Sequence, residues 1–117
     1  MMKRLIVAIA LIAATTTAWA LDGPPSRGDI GIMRDTFTAC PKREDLEQIL
    51  HLFDQNDGMA AGLATLEGHC VILDKGTVAT IEQTKFLSLN ICVRPRGMPR
   101  CVWTWGAMFT VTKPSTP

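Results

Sequence analysis

Four cysteines, Cys40, Cys70, Cys92 and Cys101, in a chain of 117 residues are the strongest constraint on what it can fold into. A chain this short buries only about 60–65% of the surface its unfolded form exposes, so its core is thin and covalent cross-links carry weight. Whether the thiols are cross-linked depends on compartment, and the N-terminus speaks to that. Met1-Met2-Lys3-Arg4 is a basic start, Leu5 to Ala14 is an unbroken run of ten apolar residues, and Ala18-Trp19-Ala20 is a small-x-small cleavage site. The apolar run is shorter than the roughly 20 residues a spanning helix needs, so an uncleaved anchor would require Ala18 to Leu21 to extend it. No cysteine adjoins the cleavage point to carry a lipid. Residues 1–20 read as a cleaved signal peptide, and the mature chain from Leu21 reads as one periplasmic or secreted domain.

In an oxidising compartment four cysteines make two disulfides, with three possible connectivities. A two-residue loop at Arg96-Gly97 pairs Pro95 with Met98 and Val93 with Arg100, which sets Cys92 directly opposite Cys101 on antiparallel strands. Opposed Cβ atoms lie about 4.5–5.5 Å apart, close to disulfide geometry. Two prolines make the turn imperfect, and a slip of register by one stays open. Cys40 then pairs with Cys70, stapling helix to barrel. On the chain-entropy model the two loops contribute about 2.7 and 3.7 kcal/mol respectively. A metal site is the competing reading, but zinc ligands usually come in close Cys-x-x-Cys pairs and the shortest separation here is nine. No metal or other cofactor is expected.

Residues 21–39, with Gly23, Pro24, Pro25, Gly28 and Gly31, read as a flexible leader; they include an Arg27-Gly28-Asp29 tripeptide too short to mark an adhesin. A helix is expected over about 41–56. Pro41 suits its first position, Glu44, Asp45 and Glu47 favour its N-terminal end, and Leu46, Ile49, Leu50 and Phe53 form one apolar stripe. Asn56-Asp57-Gly58 stops it. Asp54 to Gly58 resembles the start of a calcium loop, but the glycine comes one residue early and Thr65 replaces the closing glutamate. A second short helix fits 59–66, with Gly62 and Gly68 against it. Strands follow at Cys70–Leu73, Thr77–Ile81, Phe86–Val93, Arg100–Trp105 and Ala107–Val111, with residues 112–117 as a disordered tail. The third alternates Leu87, Leu89, Ile91 and Val93 against Ser88, Asn90 and Cys92. Short strands joined by tight turns suggest a small barrel, so the domain spans 40–111 and its class is α+β.

Charge is polarised along the chain. Leu21 to Glu82 carries five basic and eleven acidic residues, whereas Gln83 to Pro117 carries five basic residues and no acidic one. Either the two halves neutralise each other, or the basic half presents a ligand surface. The second reading gathers Arg94, Arg96 and Arg100 around the proline-rich hairpin beside Trp103 and Trp105. Arginines supply bidentate anion contacts and tryptophans supply flat faces. The helix stripe decides between core and shelf: tryptophans it covers are core, and tryptophans it leaves open form an exposed aromatic surface.

From Cys40 onward the chain resembles small exported bacterial proteins in which a helix precedes an SH3-like barrel. The residues that carry the likeness are Cys40, Gly68-His69-Cys70, Asp74-Lys75-Gly76-Thr77-Val78, Val93-Arg94 and Trp103-Thr104-Trp105. The second tryptophan and the Cys92–Cys101 pair depart from bacterial SH3-like domains. The resemblance implies a small SH3-like antiparallel β-barrel that binds a peptide, a cell-wall polymer or a partner protein.

The function expected from the sequence is therefore an exported, non-catalytic binding module, with Arg94, Arg96, Arg100, Trp103 and Trp105 as contact surface. A small inhibitor or accessory subunit docking through Glu44, Asp45 and Glu47 is the alternative. Nucleic acid is not an expected partner. Glu67 with His69, or His51 with Asp54, could be drawn as acid–base pairs for a wall-active hydrolase, but no nucleophile accompanies them.

Overall fold

The computed structural model describes residues 25–87 and 89–115. The expected signal peptide, residues 1–20, lies outside them. No helix among the described residues is long and apolar enough to cross a membrane.

The domain is a mixed α+β fold. In chain order it comprises β1 (Ile30–Met33), β2 (Phe37–Ala39), α1 (Arg43–Asp54), α2 (Gly58–Glu67), β3 (Val71–Leu73), β4 (Val78–Lys85), β5 (Asn90–Pro95), β6 (Val102–Trp105), a 3-10 turn (Gly106–Met108) and β7 (Phe109–Lys113). Five strands form an antiparallel sheet in the order β6-β5-β4-β1-β7, and β2 pairs with β3 in a separate antiparallel ladder. Among the described residues the ladders show the mixed α+β class but do not show a closed barrel. The outer edge of β6 is met by Cys40, which exchanges two backbone hydrogen bonds with Trp103 (2.8 and 2.7 Å), while β7 pairs with β1.

Both helices form where their periodicity places them. Helix α1 starts at Arg43, two residues later than expected, so Pro41 stands outside it, and Arg43 Nε meets Glu47 Oε1 at 3.2 Å one turn on. That contact is an ion pair without hydrogen-bond geometry. Asn56 turns the chain at φ 59, a left-handed conformation that asparagine tolerates. Asp57 then caps α2 by accepting a hydrogen bond from the Ala60 N–H at 3.1 Å. The segment that resembled a calcium loop is thus the stop of one helix and the cap of the next.

The expected leader is part of the sheet. β1 lies between β4 and β7, and β2 packs beside β6. Gly31 makes this position possible: a Cβ there would overlap the Thr110 carbonyl and stand 2.6 Å from the Phe109 ring, and a register shift occurs at the same place. Asp29, 6% exposed, ties the segment before β1 to the segment after β7. Its carboxylate accepts the Ser26 N–H (2.9 Å) and the Ser115 N–H (2.8 Å). The Arg27-Gly28-Asp29 tripeptide is therefore engaged in the fold. At the other end, Thr112 and Lys113 extend β7 rather than beginning a tail.

Both expected disulfides are present, Cys40–Cys70 and Cys92–Cys101, with Cα–Cα distances of 4.1 and 5.3 Å. The register that led to the second was displaced by two. Met98 N–H does bond to Pro95 C=O (3.2 Å), with Gly97 at φ 87, so the turn sits at Arg96-Gly97. Pro99 and Arg100 then lie outside both strands, and Val93 pairs with Val102 and Cys92 with Trp103. The bridge runs diagonally instead of straight across.

Two apolar clusters result among the described residues. One holds Met33, Leu73, Ile81, Ile91, Val93 and Phe109 inside the sheet. The other holds Cys40, Leu46, Ile49 and Ala61 between the helices and Trp103.

Candidate ligand groove

The five side chains of the expected contact surface do not share one site. Arg94 is half-buried and its Nε donates to Glu82 Oε2 at 2.9 Å, so this part of the basic half is neutralised within the fold. Arg96 and Arg100 are exposed at the hairpin. Trp105 pairs with Asn90 at the opposite end of the β5–β6 ladder, six residues from Arg96 along β5 or about 20 Å at strand rise.

The helix stripe separates the two tryptophans. Leu46 and Ile49, both fully buried, pack in the cluster that includes Trp103. Arg43 adds a cation over the Trp103 ring (5.8 Å to the centroid) and over Phe86 (5.7 Å). Trp103 is accordingly a packing residue. The later stripe residues, Leu50 and Phe53, face an open groove of about 670 Å³ together with Trp105.

Phe37 lies between Phe53 and Trp105, with ring centroids 6.2 and 6.0 Å away at tilted angles. Such spacing lets the rings support one another as a continuous floor. The opposite wall is the β4–β5 turn, where Phe86 and Leu89 each expose more than half of their surface and Leu87 is 100% exposed. Phe86 and Leu87 both hold φ 55. L-residues disfavour that region by about 1–2 kcal/mol each, so the turn presents its apolar side chains at a conformational cost. Alternation in the sequence predicts one strand over 86–93; the two left-handed residues break it, and Leu87 and Leu89 leave the core.

The polar groups around the groove are Glu47, His51, Asp54 and Asn90. Asn90 is 3% exposed, and its Oδ1 has no hydrogen-bond partner among the described residues. Among the described residues, the one carboxyl displaced from its ordinary pKa, Asp29, is remote from the groove. Burial alone would raise the Asp29 carboxyl, but the Ser115 and Ser26 amides and the Ser115 hydroxyl hold it below its ordinary value.

Neither sequence-derived acid–base pair is joined by a hydrogen bond or ion pair among the described residues, and there is no grouping of three or more His, Cys, Asp or Glu side chains that could hold a metal. No protein-family model, curated protein or solved structure matches the chain.

Proposed function

We propose that this chain is an exported, non-catalytic binding module whose contact surface is the groove between α1 and the β4–β5 turn. The observation that carries the reading is the collection of exposed apolar side chains around one concavity, Phe53, Phe86 and Leu89 being about half exposed or more. Folding alone gives no reason to gather such residues beside an open groove, and exposed apolar patches of this kind mark ligand or protein contact sites. Two disulfides fit a periplasmic or secreted location. The occupant is a peptide or a segment of a partner protein. The resemblance to bacterial SH3-like domains supports a binding role of the same general kind.

The accessory-subunit reading gains from one observation: the groove's wall is the acidic helix itself, with Glu47 and Asp54 on its border. Docking through α1 and binding in the groove then describe one surface.

Selection from a random-peptide display library on the oxidised mature domain tests the proposal. Enriched peptides should lose binding to Trp105→Ala and Phe53→Ser and keep it with Arg96→Ala. The reverse pattern would return the contact surface to the arginine hairpin.

A further inference from the structure

The groove's own chemistry narrows its occupant, on the premise that the groove is the binding surface. Its floor and walls are apolar, and none of its lining residues is Lys or Arg. Glu47 is already paired with Arg43, whereas Asp54 has no ion pair among the described residues. Asn90 is a third feature, independent of charge. A buried amide oxygen left without a donor is costly, because it has given up water and gained nothing in exchange. Asn90 is held in register opposite Trp105 and Lys85, so the backbone fixes the residue against the groove while its Oδ1 stays unpartnered. The terminal torsion of an asparagine is soft and can turn that oxygen outward.

An apolar floor, a waiting acceptor and carboxylates at the border ask for three things in one ligand: an apolar body, an N–H donor and a positive charge. We propose that the groove takes a short basic–apolar segment of a partner polypeptide. An aliphatic or aromatic side chain sits on Trp105 and Phe53, an N–H of the segment donates to Asn90 Oδ1, and a flanking Lys or Arg stands beside Asp54. Adjacent residues of a polypeptide supply all three groups at once, and about 670 Å³ holds several side chains. An acidic segment would meet like charge at Asp54.

Fluorescence anisotropy on the oxidised mature domain tests this. The probes are three labelled peptides with a shared Leu-Phe-Leu centre flanked by Lys, Ser or Glu, with dodecyltrimethylammonium as a small-cation competitor. The Lys peptide should bind about five- to tenfold tighter than the Glu peptide. Asp54→Asn should shrink that ratio and leave the Ser peptide unchanged. Asn90→Leu should weaken all three peptides alike and keep the ratio. Trp105→Ala should remove binding of every peptide. Should Asn90→Leu fail to fold, Asp54→Asn, at an exposed helix end, still decides the charge requirement. Peptides that bind, depend on Trp105 and show no preference for Lys would overturn this inference and leave the groove as the binding surface. Peptide binding indifferent to Trp105→Ala, or no peptide binding at all, would overturn the groove itself. Displacement of the Lys peptide by the amphiphile at a concentration equal to or below that of the unlabelled peptide would replace the polypeptide with a small organic cation.

Discussion

Adding one methyl group at two glycines should move stability in opposite directions. At Gly31 the new carbon would overlap the Thr110 carbonyl and lie 2.6 and 2.9 Å from two atoms of the Phe109 ring. Neither neighbour can yield cheaply. The carbonyl belongs to the strand that pairs with β1, and Phe109 is buried in the sheet core. Overpacking of this kind costs about 1–3 kcal/mol. Parting β7 from β1 enough to relieve it forfeits one or two ladder hydrogen bonds at about 1 kcal/mol each. Gly31→Ala should therefore destabilise by about 2–4 kcal/mol. At Gly62, inside α2, nothing lies within 4 Å of the same methyl and the residue is exposed. There alanine should stabilise by about 0.5–1 kcal/mol, the ordinary helix difference between the two residues. Urea unfolding of the oxidised protein, followed by tryptophan fluorescence, reads both values. A Gly31→Ala midpoint within about 0.5 kcal/mol of the parent would refute the placement of β1 between β4 and β7.

Leu87→Gly should stabilise the fold by up to about 1 kcal/mol in the same urea titration, because it relieves a left-handed residue that packs on nothing. Asp29→Asn should cost about 1–2 kcal/mol at neutral pH by weakening two charge-assisted hydrogen bonds. Because the folded Asp29 pKa lies below its ordinary 3.8, its contribution is present above that value and lost as pH falls through the folded pKa. Acid titration of the variant should accordingly show a shallower loss of stability below pH 3.8 than the parent. Trp103→Ala should destabilise by about 2–4 kcal/mol and Trp105→Ala by less than about 1.5 kcal/mol, since Trp103 packs in a buried cluster and Trp105 borders an open groove; thermal melts with intact disulfides compare them.

The features legible in the sequence are those written by periodicity or by covalent chemistry. Leu46, Ile49, Leu50 and Phe53 announced α1, and the cysteines paired as expected even though the strand register had moved by two, because the pairing tolerates a diagonal geometry that a residue count does not reveal. β1 and β2 were illegible for physical reasons. Gly31 removes a side chain from the alternating pattern at the point where strands approach most closely, and three residues at Phe37–Ala39 are too few to display a period. Half of the candidate site was hidden similarly. Trp105 and the stripe residues Leu50 and Phe53 had been singled out, but Phe37 sat in a supposed leader and Phe86 and Leu89 in a supposed strand. The Phe86-Leu87-Ser88-Leu89 run held the available signal, an apolar stretch too long to follow a turn that lacks glycine or proline.

The Cys40–Cys70 bridge has a further consequence. Chain direction leaves the β2–β3 ladder at Cys40 and re-enters it at Cys70, and those two α-carbons are 4.1 Å apart. Everything between them, both helices included, is thus a cassette covalently closed at one point and packed on β6 through Trp103. Its ends would meet in the same place whatever its length or sequence. Because α1 supplies one wall of the groove and β5, β6 and the β4–β5 turn supply much of the rest, exchanging the cassette, with its contacts to Trp103 kept, would reshape the proposed binding groove without rebuilding the five-stranded sheet.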